Sequence, residues 1–141
     1  MKILIICTGN SCRSPMAQGF LKSFDQDLEI ASAGTKPELK VNPFAIQVMK
    51  ESFIDMSHHV PTAVETYLNN DFDFVVTVCE NSNSTCPTFN GKIKNRLHIG
   101  FDDPADATGT DQEKLKVYRQ TRDNIKNEFF KFYKQYLNKQ L

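Results

Sequence analysis

Residues 7–14 read Cys-Thr-Gly-Asn-Ser-Cys-Arg-Ser and separate two patterns of different period. The apolar run at residues 3–6 predicts a short buried strand before them, and a helical pattern follows Pro15. Ser14 is a favourable N-cap, and Pro15 at the first helical position loses only an amide hydrogen that has no partner there. The sequence therefore predicts a strand, a loop of small residues and a helix in direct succession.

A loop that ends at a helix N-terminus directs several backbone N–H groups toward one point, where they can bind a tetrahedral oxyanion. Gly9 and Asn10 are expected to adopt the left-handed backbone conformations that such a loop needs. The predicted oxyanion-binding loop consists of Thr8, Gly9, Asn10, Ser11, Cys12, Arg13 and Ser14.

Two side chains make this loop a candidate reaction site. Cys7 lies at its start, where the field of the helix and the guanidinium of Arg13 favour thiolate over thiol. Arg13 also carries a planar fork that fits two oxygens of one anion. A thiolate beside a bound oxyanion indicates nucleophilic attack on phosphorus or a chemically similar element. The alternative, that Cys7 is only a small buried apolar residue, leaves the Arg-Ser pair at the helix start unexplained.

The composition of the 141 residues, 40% hydrophobic and 24% charged, is that of an ordinary globular protein and predicts a single catalytic domain over residues 1–141. Lys+Arg and Asp+Glu number 17 each, which favours neither nucleic acid nor an acidic membrane as a partner. The first apolar run stops at Cys7, so no signal peptide is predicted, and no stretch has the length of a membrane span. We expect a monomer in the cytoplasm.

Cysteines in a cytoplasmic chain favour catalysis, redox chemistry or metal binding over structural disulfides. The chain has four: Cys7, Cys12, Cys79 and Cys86. They form no Cys-x2-Cys pair, and the three histidines lack the spacing of zinc ligands, so no metal site is expected.

The rest of the chain alternates short strands with helices. Further strands are predicted at 28–33, 73–78 and 96–99. Helices are predicted at 17–24, from residue 61 or 62 to 68, and from about residue 111 onward. Another helix is predicted to begin at Asn42-Pro43, with an apolar face that includes Phe53. The predicted fold is α/β, a single open parallel four-stranded sheet with helices on both faces. His58 and His59 are expected in an exposed polar connection, and His98 is expected to be packed or at an edge.

A second group of reactive residues follows the strand at 73–78. Residues 79–87 read Cys-Glu-Asn-Ser-Asn-Ser-Thr-Cys-Pro, with six polar residues between the two cysteines. A loop this short can bring the two Cα atoms within disulfide distance, and its polar surroundings predict exposed thiols rather than buried ones. The tract therefore indicates a redox pair, in which one thiol attacks at the active site and the other resolves the product.

The loop at residues 7–14 resembles the active-site loop of low-molecular-weight protein tyrosine phosphatases and of the arsenate reductases that share their fold. The Cys79–Cys86 tract resembles the redox loop of the thioredoxin-coupled arsenate reductases, and residues 100–105, Gly-Phe-Asp-Asp-Pro-Ala, resemble their acid segment. The phosphatases carry an aromatic residue after the Asp-Pro, where this chain has Ala105. The resemblance extends from Ile3 to the last helix.

This resemblance implies reduction of arsenate to arsenite. Cys7 attacks arsenic, Arg13 holds the anion, and Asp103, rather than Asp102, protonates the departing oxygen. Cys79 then attacks Cys7, and Cys86 attacks Cys79, so that a Cys79–Cys86 disulfide is left for thioredoxin to reduce. Ser14 is expected to hydrogen-bond the Cys7 thiolate and Asn10 to hold the shape of the loop. No bound cofactor is implied, because the reducing equivalents come from thioredoxin.

Some of these reductases hold a potassium ion beside the loop with an Asn, a Glu, a Ser and an Asp. Here Asn10 and Ser32 fit, but Gln18 and, by a looser alignment, Thr62 replace the two carboxylates. We therefore predict no strong dependence on potassium.

Three further alternatives are compatible with parts of the sequence. Cys12 could be a second redox partner of Cys7, but we expect its backbone to matter more than its sulfur. The protein could be a low-molecular-weight phosphatase whose Cys79–Cys86 pair protects it from oxidation. A non-catalytic redox sensor is also conceivable, but such a protein does not need an intact oxyanion-binding loop.

Overall fold

The computed structural model describes residues 1–80 and 87–138. It has four strands, β1 (Lys2–Cys7), β2 (Glu29–Gly34), β3 (Phe72–Thr77) and β4 (Ile93–His98). Its α-helices are α1 (Arg13–Phe24), α2 (Pro43–Lys50) and α3 (Asp111–Phe132), and α3 continues into a π-helical turn, Tyr133–Leu137. Short 3₁₀ turns occur at Val64–Tyr67 and Pro104–Asp106.

The strands form one parallel sheet in the order β2-β1-β3-β4. In its register Ile6 pairs with Ala33 on one side and with Thr77 on the other, and Thr77 pairs with His98. The carboxyl ends of all four strands therefore lie along one edge. The loops that leave this edge carry the candidate reactive residues, as open α/β sheets generally arrange them.

The two faces of the sheet are covered unequally. Alternate residues of β1, Ile3 and Ile5, pack with the three α-helices in the larger core, while Leu4 and Ile6 pack with the 3₁₀ turn around Val64 and with Phe89. The predicted fold class, a single-domain open parallel four-stranded sheet, is confirmed, but the three α-helices lie on one face and the 3₁₀ turn Val64–Tyr67 covers the other. Among the described residues, no helix is long and apolar enough to cross a membrane.

Several predicted boundaries were wrong. Helix α1 begins at Arg13, two residues before the predicted first helical position, Pro15, and β4 begins three residues before the predicted Arg96. Helix α2 ends at Lys50, so Phe53 is not on its face. Phe53 has a φ of 62° and is 97% exposed, because it is the left-handed residue at the helix end, where its amide bonds the Lys50 carbonyl and the Ile54 amide bonds the Met49 carbonyl. The prediction was wrong because the apolar periodicity of the sequence extends to Phe53, whereas the helix itself ends at Lys50.

Candidate active site

The loop between β1 and α1 forms the floor of a cleft of about 340 Å³. Residues 7–13 line it from below, residues 38–43 form one wall, and Asp103 and Ala105 face them. All seven residues predicted for the loop except Ser14 line the cleft directly. Ser14 is fully buried behind it.

The carbonyl groups of the loop are held away from the cleft by a wall segment, residues 35–42. The amides of Thr35, Lys36, Glu38 and Asn42 donate to the carbonyls of Cys7, Thr8, Gly9 and Ser11, respectively, at 2.9–3.2 Å. Because these carbonyls point toward the wall segment, the loop's N–H groups are left for the cleft. This is the polarity that an oxyanion needs.

Only part of the expected backbone geometry was correct. The left-handed conformation falls on Asn10, with a φ of 52°, and not on Gly9. The glycine that the loop needs for space is Gly34 at the end of β2, where an added Cβ would lie 2.5 Å from the carbonyl oxygen of Thr8. The sequence alone did not indicate this role for Gly34, because the close approach joins segments that are distant in sequence.

Cys7 Sγ is at the end of a directed hydrogen-bond chain. Asn10 Nδ2 donates to Ser14 Oγ at 2.9 Å, and Ser14 Oγ lies 2.8 Å from Cys7 Sγ, so the Ser14 hydroxyl is the donor to this sulfur when Cys7 is a thiolate. The backbone N–H of Asn10 donates to the same sulfur at 3.1 Å.

The prediction of Ser14 as the N-cap of the first helix was wrong. Ser14 lies in the first turn of α1, whose cap residue, Cys12, makes no side-chain capping bond.

His59 is a residue of the site that sequence reasoning missed. It was expected to be exposed, but it is partly buried, and its Nε2 lies 3.0 Å from the carbonyl oxygen and 3.1 Å from Oδ1 of Asn10. Both neighbours are acceptors, so Nε2 carries the proton. Burial lowers the pKa of His59, with a smaller opposing effect from its bond to the Asn10 backbone. The doublet His58-His59 gave no signal that distinguishes this residue from exposed His58.

The residues at the expected potassium position do converge, but they do not fit a cation. Asn10 Oδ1 accepts from the Thr62 amide at 2.9 Å in addition to its contact with His59. Asn10 Nδ2 donates to Ser32 Oγ at 2.9 Å, and Ser32 donates to Gln18 Oε1 at 2.6 Å. These groups are neutral and already bond one another, so none of them brings the negative charge of a carboxylate to this position. Among residues 1–80 and 87–138, no group of three or more His, Cys, Asp or Glu could hold a metal ion.

Arg13 joins the loop to the acid segment, residues 101–105. Its Nη1 donates to the carbonyl of Phe101 at 3.1 Å, and its Nη2 lies 3.5 Å from Asp103 Oδ2. Asp103 lines the cleft, whereas Asp102 lines a separate surface groove against α3. The structure thus places Asp103, the predicted acid, near Arg13 and in the same cleft as Cys7. Ala105 leaves that wall of the cleft without an aromatic ring.

Cys79 lies two residues beyond the end of β3, next to β1 in the sheet. Because Thr77 pairs with Ile6, Val78 is level with Cys7 and Cys79 is one residue further on. The expectation of an exposed thiol was wrong for Cys79, which is only 9% exposed. Cys79 is also absent from the cleft lining. Cys86 lies outside the described residues.

Cys12 is enclosed more completely. It is 5% exposed, and burial, reinforced by Asp103 and Cys7, strongly raises the pKa of its thiol. A neutral thiol is a poor nucleophile, which is consistent with a structural role for this side chain.

Comparison with known proteins identifies the family. The sequence model of the low molecular weight phosphotyrosine protein phosphatase family matches residues 2–141, and the chain belongs to this family. Within it, the chain belongs with the arsenate reductases. It is 44% identical to an arsenate reductase of Halalkalibacterium halodurans over 124 residues, covering 87% of this chain and 88% of the relative. It is 40% identical to an arsenate reductase of Bacillus subtilis over 131 residues, covering 92% and 93%.

A solved structure gives the same classification. An arsenate reductase in the phosphate-binding state superposes with a TM-score of 0.76 at 26% identity, covering 95% of this chain and 97% of the other. The predicted family is thereby confirmed at the levels of both sequence and fold.

Proposed function

We propose that the protein reduces arsenate to arsenite through a cascade of three cysteines, with thioredoxin as the reductant. The observation that carries this proposal is the position of Cys7 Sγ, which accepts hydrogen bonds from Ser14 and Asn10 inside a cleft that Arg13 and Asp103 also line. The arsenate reductases among its relatives support the choice of substrate.

In the first step arsenate binds to the N–H groups of residues 8–14 and to the guanidinium of Arg13. The Cys7 thiolate attacks arsenic and forms an S–As bond, and Asp103 protonates the departing oxygen, which leaves as water. The Ser14 hydroxyl stabilises the attacking sulfur, because its proton is directed to Sγ by the bond that Oγ accepts from Asn10.

In the second step the Cys79 thiolate attacks Cys7 Sγ. The S–As bond breaks and its electron pair remains on arsenic, which becomes As(III) and leaves as arsenite, while Cys7 and Cys79 are oxidised to a disulfide. Cys86 then attacks Cys79, which restores the Cys7 thiol and leaves a Cys79–Cys86 disulfide. Two electrons from reduced thioredoxin return this pair to thiols. We place this cycle in the cytoplasm, with a monomeric enzyme and no bound cofactor.

The decisive experiment is arsenate-dependent NADPH oxidation by the purified protein with thioredoxin and thioredoxin reductase. We expect sustained turnover by the wild type. The Cys86→Ser variant should form one arsenite per protein and then stop, because its Cys7–Cys79 disulfide has no resolving thiol. Sustained turnover by Cys86→Ser would contradict the cascade.

Phosphate-ester hydrolysis is the second candidate, since phosphate has the shape and charge of arsenate and the chain belongs to a phosphatase family. In that reaction Cys7, Arg13 and Asp103 keep the same roles, and Cys79 is not used. Rapid hydrolysis of an aryl phosphate without arsenate-dependent NADPH oxidation would favour this function.

A further inference from the structure

The acid segment is anchored at several points. Arg13 bonds the carbonyl of Phe101, and the Phe101 amide donates to the carbonyl of Val78 at 3.1 Å. Asp103 Oδ1 accepts from the Ala105 amide at 3.0 Å, and Oδ2 faces Arg13. Both carboxylate oxygens of Asp103 thus have a neighbour. The orientation of the carboxyl group, and with it the direction of proton donation, therefore depends on the position of the Asp103 backbone.

The backbone of Asp103 is held by a residue of the redox tract. The Asp103 amide donates to Glu80 Oε1 at 3.0 Å. Twenty-three residues separate the two, so this bond is a tertiary contact between the end of β3 and the acid segment. A charged acceptor makes it stronger than a neutral backbone bond, although Glu80 is exposed.

Glu80 directly follows Cys79, the thiol that must move. Cys79 is buried and does not line the cleft that Cys7 lines, so we expect the chain to shift at this point when the Cys79 sulfur attacks Cys7. Consecutive Cα atoms are only 3.8 Å apart, so a displacement of Cys79 is transmitted to Glu80. The bond to Asp103 then cannot keep its present geometry.

We propose that Glu80 is a positioning residue for Asp103, and that it makes the placement of this acid depend on the location of Cys79. With Cys79 in its buried position, Glu80 holds Asp103 where it can protonate the departing oxygen. Movement of Cys79 to Cys7 withdraws Glu80, and the acid segment is released in the step that expels arsenite. The inference rests on the proposed function and adds an order of events to it.

The contact itself is tested by NMR, through the solvent-exchange rate of the Asp103 amide. Glu80→Ala should raise this rate about tenfold, because the amide loses its acceptor. Glu80→Gln keeps an oxygen at the same place and should stay within about threefold of the wild type. Glu128→Ala, which removes another exposed carboxylate from α3, serves as the control.

The functional consequence is tested by rapid-quench measurement of the first arsenite formed per protein between pH 5.5 and 8.5. We expect Glu80→Ala to slow this step about tenfold and to change its pH dependence, because proton donation is impaired. Glu80→Gln should restore both the rate and the profile. A uniform loss in Glu80→Ala and Glu80→Gln, or no loss in either, would overturn the positioning role.

The dependence on Cys79 is tested without arsenate. Cys86→Ser is oxidised with a disulfide-forming reagent to the Cys7–Cys79 form, and exchange of the Asp103 amide is compared with that of the reduced protein. We expect the oxidised form to resemble reduced Glu80→Ala. An Asp103 amide equally protected in both forms would overturn the linkage. If the wild type forms no arsenite, the proposed function fails, but the NMR measurements still decide the role of Glu80.

Discussion

Ser14 Oγ lies 2.8 Å from Cys7 Sγ and accepts a hydrogen bond from Asn10 Nδ2, so a Cys7 thiolate, which has no proton to donate, accepts from the serine hydroxyl. All three side chains are buried, so water does not replace a partner that is removed. Hydrogen bonds to charged groups contribute about 1.5–3 kcal/mol, more than neutral bonds. Ser14 is thus a main source of stabilisation for an anionic sulfur in this site.

We expect Ser14→Ala to slow the reaction of Cys7 with iodoacetamide about tenfold at neutral pH, because the buried hydroxyl that hydrogen-bonds the attacking sulfur is lost. The modification is followed on the Cys7 peptide by mass spectrometry. Ser23→Ala, which removes a hydroxyl bonded to the Phe20 carbonyl on α1, should leave the rate unchanged. Equal rates of Cys7 modification in Ser14→Ala and the wild type would contradict the assignment of Ser14 as hydrogen-bond donor to Cys7.

The sequence was informative where local pattern and chemistry agree. The apolar run of β1, the small-residue loop and the start of α1 predicted the cleft, and the resemblance of Asp103-Pro104 to the family's acid segment indicated Asp103, which lines that cleft. Contacts between distant segments were not visible in it. The partly buried His59, the close packing of Gly34 against Thr8 and the bond from Asp103 to Glu80 each join residues with no shared local pattern. The exposure of the Cys79 thiol was predicted wrongly for a related reason. The residues that follow it in sequence are polar, but the side chain is buried at the end of the sheet.

His59 should make stability depend on pH. Its pKa is lowered in the folded protein from an ordinary value of 6.5, so the unfolded chain binds a proton more readily. The contribution of neutral His59 to the free energy of unfolding is complete above pH 6.5. It is lost as the pH falls through the lower pKa that His59 has in the folded protein. We expect His59→Ala to cost about 1–2 kcal/mol at pH 7.5, since Asn10 loses a donor, and the difference to narrow below pH 6.5.

The measurement is urea unfolding of the wild type and His59→Ala at several pH values from 5 to 8. His58→Ala is the matched control, because His58 is exposed and contacts only Asp55 among the ion pairs of the described residues. A His59→Ala deficit that stays constant from pH 5 to pH 8 would contradict the neutral state assigned to His59.

The neutral network around Asn10 predicts indifference to potassium. Oδ1 of Asn10 already accepts from Thr62 and His59, and Gln18 supplies no negative charge. We expect equal initial rates of arsenate reduction and equal thermal unfolding midpoints in potassium and sodium chloride at the same ionic strength. A clear increase of either quantity in potassium alone would show that the network opens to admit the ion.

The two cysteines of the oxyanion-binding loop should differ sharply in reactivity. Burial raises the pKa of the Cys12 thiol, so Cys12 remains protonated through pH 8.5, whereas Cys7 accepts two hydrogen bonds to its sulfur. We therefore expect iodoacetamide at pH 7.5 to modify Cys7 at least about tenfold faster than Cys12. Bound phosphate should protect Cys7 by occupying the cleft. The rates of modification of Cys7 and Cys12 are measured by mass spectrometry. The Cys7→Ser variant is the control that shows whether the reagent reaches Cys12 directly. Rapid modification of Cys12 in Cys7→Ser would mean that its sulfur is reactive and that the alternative role as a second redox partner of Cys7 must be reconsidered.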